Sequence, residues 1–448
     1  MNQNQRESQP AVLSATIAPT VASSSSPPVR EELPVGECAA LVGLDWGDTR
    51  HAFALRVQAT GQTETGSIEH SAEELHGFLE QLQTRFGGQR VAVAVEASKG
   101  AIVAALLEHA SWLTIYPVHP ATSRRFSQAF APSGAKDDGP DAQTLLEILH
   151  GHRHKLRALL PHDPETRRLG ELVELRRAFV DQRTQVSNQL TSLLKQYYPQ
   201  ALALTGAKRY APLALDFLER WPELAQFQQA RPQTVRAFFY AHQVRREETI
   251  AERLELLRAA RPLTTDRIRC EMGMLQMKML VAQLRLLQKQ IAQIEALLAT
   301  VFAAHPEASL FANLPGAGAA MAPRLSVLFG TDRTRWADAA QLQTYYGIAP
   351  VTERSGRQQW VHWRWSAPLF ARQTLVEWAR LSVRESTWAK AYYEAQLAKQ
   401  KGHAVIMRAL AFKWLRILWR CWQNRQPYDE ARYLLALAQR RAQLLTAA

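Results

Sequence analysis

The run Arg90-Val-Ala-Val-Ala-Val-Glu96 sets the narrowest limits on this fold. Five apolar residues bounded by charges are too few for a buried helix and lack the apolar–polar alternation of a half-exposed strand. They read as a strand covered on both faces, the kind found inside mixed or parallel sheets with helices packed above and below. The flanking sequence agrees. Ala39–Gly43 is an apolar run, and β-type residues resume over His51–Gln58 after a Gly47-Asp48 turn, which predicts a hairpin. Ser71 to Phe86 has helical spacing, with Ser71 as N-cap and Glu74 three residues on, a capping box. Ile102–His109 reads as a helix, Trp112–Val118 as a strand, and Pro140 as the opening of a helix over Asp141–Leu149. Residues 38–155 are thus expected to form one α/β domain.

The rest of the chain is organised differently. Residues 1–37 are rich in Ser, Pro, Gln and Ala without periodicity, and read as a disordered leader. Residues 156–300 are helical. Met277, Leu280, Leu284, Leu287, Ile291, Ile294 and Leu298 follow a 3,4 spacing over three heptads, which predicts a coiled coil. An irregular insert at 199–246 interrupts this region. Both an antiparallel helical arm with an elaborated tip and a dimerising arm fit that pattern. A C-terminal domain over 301–428, mainly α-helical, opens with Leu314-Pro-Gly-Ala-Gly-Ala319, and a basic helical tail closes the chain over 429–448.

Charge points to an anionic partner. The formal net charge is +13, and residues 301–448, with 20 basic and 9 acidic side chains, carry +11 of it. The same stretch holds nine of the twelve Trp. Basic residues interleaved with aromatics suit phosphate neutralisation with base stacking. The three Cys are far apart and in no CxxC pair, which argues against zinc and disulfides and for a reducing compartment. No signal peptide and no apolar run of membrane-spanning length is present, so a cytoplasmic, nucleoid-associated protein is expected.

Three acidic signals fall in the α/β domain. Asp45 ends an apolar strand before a Gly turn, with Asp48 on the turn itself. Glu96 closes the Val91–Val95 run, where a buried unpaired carboxylate would cost several kcal/mol. Asp138 and Asp141 stand three apart at a helix start, so they face the same way and lie where the helix dipole favours anions. Singly these acids are turn or helix caps; together they form a candidate tetrad for two divalent ions, a site that stabilises both oxygens of a phosphoryl transfer.

The C-terminal domain has its own candidates. In Leu314-Pro-Gly-Ala-Gly318 the glycines Gly316 and Gly318 allow backbone amides to approach a phosphate, as in a helix-hairpin-helix turn. Further on, Ser355 precedes Gly356 between Arg354 and Arg357, with Arg364 nearby; a hydroxyl in such a positive setting is a candidate nucleophile.

The order Asp45, Glu96, Lys136-Asp-Asp-Gly-Pro-Asp-Ala142, helical region, Leu-Pro-Gly-x-Gly and Ser355-Gly356 resembles the DEDD transposases of bacterial insertion sequences, the one-ten family related to the Piv DNA invertase. The resemblance covers nearly the whole chain after the leader. It implies an RNase H-like (RuvC-like) mixed-sheet catalytic domain whose tetrad is Asp45, Glu96, Asp138 and Asp141, binding Mg²⁺ (two ions, with Mn²⁺ as a substitute). It also implies a C-terminal transposase domain supplying Ser355, donor and target DNA as substrates, an element-encoded guide RNA that bridges them, and dimers or tetramers. Two local departures bear on the site. Asp137 precedes Asp138, although the three-residue gap to Asp141 favours Asp138. Trp365-Ser-Ala-Pro-Leu-Phe370 replaces the usual segment after the Ser-Gly loop and leaves Ser366 as reserve nucleophile.

Two other readings stay open at this level. Gly43-Leu-Asp-Trp-Gly-Asp-Thr49 also has the form of a phosphate loop in actin-like and sugar kinases. A non-catalytic nucleic-acid-binding protein with structural acids would show the same charge distribution.

Overall fold

The computed structural model describes residues 38–130, 138–204, 206–364 and 367–446, with the side chains of 130, 138, 139 and 440–446 left aside. The chain divides into two compact units, one ending at Leu159 and the other beginning at Leu160.

The first unit runs β1 (Ala40–Trp46), β2 (Arg50–Val57), β3 (Thr63–Glu69), α1 (Ala72–Arg85), β4 (Val91–Val95), α2 (Ala101–Glu108), β5 (Leu113–Pro117), α3 (Pro120–Phe130) and α4 (Asp138–His152). The strands form one mixed sheet in the order β3-β2-β1-β4-β5, antiparallel on the β2–β3 side and parallel through β1, β4 and β5.

The Val/Ala alternation of β4 explains the layering, because successive side chains of a strand point to opposite faces. Val91, Val93 and Val95 lie in the core that α1 and α2 fill with Leu75, Leu79, Leu82, Ile102 and Leu106. Ala92 and Ala94 lie in the opposite core, against Ala142, Leu145 and Leu149 of α4. Small residues on that face let one helix come close. Ser71 caps α1 as expected, its hydroxyl accepting from the Glu74 amide at 3.1 Å. Two elements differ from the sequence expectation. β3 is an edge strand of polar residues that buries Ile68 alone among them, so it carries no apolar pattern. The helix expected from Pro140 starts at Asp138 and is preceded by α3.

In the second unit, α5 (Pro164–Tyr197) is followed by five short helices, α6 (Gln200–Leu204), α7 (Pro212–Arg220), α8 (Leu224–Gln228), α9 (Pro232–Ala241) and α10 (Glu247–Ala259). The chain then returns along α11 (Arg267–Ala304). Contacts between α5 and α11 run in opposite directions: Arg176 bonds to Glu295, Arg183 to Gln288 and Gln196 to Arg269. The two helices are therefore an antiparallel pair within one chain. The short helices form a tip with its own aromatic core, including Tyr198, Phe217, Trp221, Phe227 and Phe239. Met277, Leu280 and Leu284 of the expected heptad stripe belong to that core, and Ile291 is also buried. Much of the stripe is thus consumed inside the chain.

The remainder comprises α12 (Ala308–Ala312), α13 (Gly318–Phe329), α14 (Ala339–Tyr345), a hairpin of β6 (Val351–Ser355) and β7 (Gln358–His362), and then α15 (Leu369–Ser382), α16 (Thr387–Leu397), α17 (His403–Gln423) and α18 (Glu430–Thr446). Its core buries Trp336, Trp378, Trp388, Trp414 and Trp422. Five of the nine C-terminal Trp are therefore packing residues, which corrects the expectation that they stack on bases. Trp360, Trp363 and Trp419 keep partial exposure. No helix among the described residues is long and apolar enough to cross a membrane.

Candidate functional site

The parallel pairing of β1 with β4 places the first two acids. Leu44 is opposite Val95, so Asp45 and Glu96 occupy the next position at the same ends of neighbouring strands. By alternation both belong to the face covered by α4, and both are half-buried. Gly43, two residues before Asp45 on that face, shows how closely α4 approaches. A Cβ on Gly43 would lie 2.1 Å from the Ala142 carbonyl oxygen and 2.5 Å from the Leu146 amide nitrogen. Asp141 directly precedes Ala142 and is half-buried, and Asp138 is the first residue of the same helix. The fold therefore brings Asp45, Glu96 and the start of α4 to one sheet end. Asp48 lies on the exposed turn beyond it.

Among the described residues no three Asp, Glu, His or Cys side chains are close enough to hold a metal ion. The Asp138 side chain and all of Asp137 lie outside the described residues. The donor set at this sheet end is carboxylate oxygen only, which suits hard divalent cations and not zinc.

On the other face of the same strand end lies a cluster the sequence did not signal. Trp46 stacks on His51 with ring centroids 3.6 Å apart, and His70 Nδ1 is 3.1 Å from His51 Nε2. His51 is buried, and burial first, then the nearby His70, pushes its pKa down. A histidine on β2 and another just past the end of β3 have no spacing signature, so only the fold reveals them. They pack the strand end that carries Asp45.

Ser355 ends β6 and enters a two-residue turn, Gly356-Arg357, with Gly356 at φ 57°. A glycine with positive φ at the first turn position suits a tight hairpin whose twist matches its strands. The register pairs Ser355 with Gln358 and Glu353 with Trp360. Ser355, Glu353, Trp360 and His362 thus share one face, and Arg354 belongs to the other. Of the two arginines expected to flank Ser355, Arg354 faces the opposite side of the hairpin and Arg357 lies in the turn itself. Glu353 accepts from Trp360 Nε1 at 2.8 Å and lies 2.7 Å from His362 Nε2, while His362 Nδ1 faces the Trp363 carbonyl at 2.6 Å. Acceptors facing both ring nitrogens favour the protonated imidazole. The Trp363 carbonyl, then Glu353, raise its pKa. Ser366 lies outside the described residues.

The glycine turn before α13 has a different occupant from the one expected. Gly316, at φ 71°, donates its amide to Glu385 Oε2 at 2.6 Å, and a Cβ there would lie 2.6 Å from the Leu381 carbonyl carbon. Its amide is therefore engaged by a carboxylate of the same chain. Gly318, at φ 52°, has open space around it.

These features fall within segments shared with known proteins. Residues 42–199, with all four acids, match the DEDD transposase model of IS110 elements. Residues 308–394, with Gly316, Gly318 and Ser355, match the model described as transposase IS116/IS110/IS902 family. The chain belongs to the IS110 family of transposases. It is 28% identical over 414 residues to the protein assigned as the transposase of the IS117 mini-circle in Streptomyces coelicolor, covering 89% of this chain and 97% of that one. A 43.6 kDa protein of insertion element IS110 from the same organism is 26% identical, over 85% and 93% of the two chains. A 42 kDa protein of IS900 from Mycobacterium paratuberculosis is 22% identical, over 87% and 97%. Family membership gives this transposase its coarse function, the mobility of an insertion sequence, and DNA as its substrate. It also removes the kinase alternative for Gly43–Thr49. Residues 200–307, which include the short helices of the tip and all of α11, lie between the two matched segments.

Proposed function

We propose that this transposase cuts and rejoins DNA with Asp45, Glu96, Asp138 and Asp141 as ligands of two divalent cations and Ser355 as nucleophile. The observation that carries the reading is the meeting of Asp45 and Glu96 on adjacent parallel strands, under a helix that Gly43 admits to backbone contact. A mixed sheet with acids in that position supports an RNase H-like (RuvC-like) catalytic domain. Mg²⁺ held there would supply charge neutralisation at the scissile phosphate, with Mn²⁺ able to replace it.

In this reading Ser355 Oγ attacks phosphorus, the bond to one deoxyribose oxygen breaks, and that oxygen leaves as a hydroxyl carrying the serine's proton. DNA stays joined to the protein through a phosphoserine until a hydroxyl of the partner strand attacks the same phosphorus and restores Ser355. Arg357 and Arg364 bind phosphates, Arg354 reaches a strand on the opposite side of the hairpin, and Gly318 offers the open amide of its turn. The tetrad and Ser355 belong to separate units, so chemistry requires both to act on one DNA. A guide RNA bridging donor and target would occupy further basic surface.

Self-association has a specific support. Ile268, Met272, Leu275, Met279 and Leu286 of α11 are exposed, at 73, 54, 49, 55 and 55%. With Ala282 they follow the 4,3,4,3,4 spacing of a helix seam. The central test is mapping of a covalent adduct on a nicked suicide substrate with and without Mg²⁺. An adduct on Ser355 that requires metal is expected; metal-independent cleavage would overturn the tetrad reading. Sequencing RNA that co-purifies with the protein tests the guide.

A further inference from the structure

Trp363, just beyond β7, lies under two guanidinium groups. Arg372 of α15 and Arg408 of α17 place their Cζ atoms 4.8 and 4.7 Å from its ring centroid. The two cations are therefore no farther apart than the sum of those distances. Arg364 is the next residue, and its Nε is buried without a hydrogen-bond partner among the described residues. The backbone at this point is held by Arg372 and closely approached by Gly347. Arg372 Nη1 donates to the Arg364 carbonyl at 3.1 Å, and a Cβ on Gly347 would come 3.5 Å from the same oxygen.

Among the described residues no carboxylate pairs with Arg364, Arg372 or Arg408. Two acids of neighbouring elements are committed elsewhere: Glu353 to His362 and Trp360, and Glu377 to Arg324 and Gln373. The two cations gathered over Trp363 without an anion repel one another, and an indole face relieves this only in part. The arrangement is stable enough to fold, and it binds an arriving anion more strongly than scattered surface arginines would, because the side chains are already oriented.

We propose that Arg372 and Arg408, set over Trp363, form with the adjoining Arg364 a seat for a backbone phosphate of DNA at the foot of the β6–β7 hairpin. The ligand chemistry is a phosphodiester: planar guanidiniums match its paired oxygens, and each seated phosphate releases condensed counterions. The seat would hold the strand beside the hairpin that carries Ser355. This deepens the DNA-cleavage reading above and rests on it.

The test uses the full chain and a fluorescein-labelled, mixed-sequence DNA duplex, with affinity followed by anisotropy across a salt series. Arg372→Gln/Arg408→Gln is compared with Arg380→Gln/Arg416→Gln, which removes the same charge from exposed positions on the same two helices. The first double variant should bind roughly tenfold more weakly at moderate salt, and its log–log salt slope should be shallower by about 1 to 2. The control should change less than about twofold in affinity. Equal losses in both would show that only net charge matters and would overturn the seat. A loss seen with RNA of the same sequence and absent with duplex DNA would overturn its assignment to DNA. Should the first double variant not fold, Arg408→Gln alone carries the test, with about half the change in slope. A parent protein whose DNA binding ignores salt would overturn the underlying reading, and the seat with it, whatever the variants do.

Discussion

Gly43 and Ala142 meet backbone to backbone, with the space for a Gly43 Cβ ending 2.1 Å from the Ala142 carbonyl oxygen. Nothing at that contact is a movable side-chain end, so any larger residue must push α4 away from β1. Gly43→Ala is expected to destabilise the first unit by about 1–3 kcal/mol. It should also displace Asp141 relative to Asp45 and Glu96, and reduce recombination more than the stability loss explains. Thermal melting beside a recombination assay checks this; full activity in a destabilised protein would show that the helix position does not matter to the site.

The four acids should behave as one unit. Asp45→Ala, Glu96→Ala, Asp138→Ala and Asp141→Ala should each abolish recombination while leaving DNA binding and melting nearly unchanged, since removing one anion from a cluster relieves repulsion. Chelation of divalent metal should have the same effect on the parent. The third acid has a sharper check. Activity in Asp138→Ala together with loss in Asp137→Ala would move the assignment by one residue.

What was legible in the sequence follows from where burial leaves a pattern. β1, β4 and β5 show apolar runs because the sheet interior is covered, and Ser71 announces α1 because a capping hydroxyl is a local device. β6 and β7 leave no apolar pattern in the sequence because nearly all their residues are exposed, so neither face has to be apolar. The antiparallel arm was one of two readings of the 3,4 stripe, since spacing alone does not say whether the covering helix comes from the same chain. Gly316 and Glu385 are 69 residues apart, and no local signal tells that the expected phosphate position already holds a carboxylate. The C-terminal Trp misled for a related reason: composition counts indoles without distinguishing core from surface.

His162 gives the second unit a pH dependence. Burial, then the charge of Arg335, push its pKa down to about 4, and its ring packs where Gly330 has no side chain. In the unfolded chain the same group titrates near 6.5. Below that pH the unfolded state takes up a proton that the folded state refuses. Stability is therefore full above about pH 6.5 and falls as pH drops towards 4, by up to about 3 kcal/mol from this group. Melting of the parent and of His162→Gln between pH 7 and 4.5 should show a smaller decline for the variant. Parallel declines would assign the effect to other groups.

Ser355 is exposed at the hairpin end, where a small hydroxyl beside Gly356 can approach a phosphate closely. Ser355→Ala should bind DNA and metal as the parent does and form no covalent adduct, whereas Ser366→Ala should keep the adduct. Ser355→Cys should retain a trace of activity, since a thiol attacks in the same geometry. Denaturing gels and peptide mapping of trapped reactions decide the matter, and an adduct mapped to Ser366 would overturn the choice while leaving the tetrad standing.

The two apolar stripes of α11 should separate cleanly by mutation. Leu284 and Ile291 are buried within the chain, so Leu284→Asp/Ile291→Asp places charge in the tip and arm cores and should unfold that region, by about 3–5 kcal/mol per site. Met272, Met279 and Leu286 are exposed on one line, and Asp there meets water in an isolated chain at little cost. Met272→Asp/Met279→Asp/Leu286→Asp should leave melting nearly unchanged and lower the particle mass seen by light scattering. Recombination should be lost in the same variant if the assembly is the active form. An unchanged mass would show that this seam is not where copies of the chain meet. A lower melting temperature with unchanged mass would show that the stripe packs within the chain.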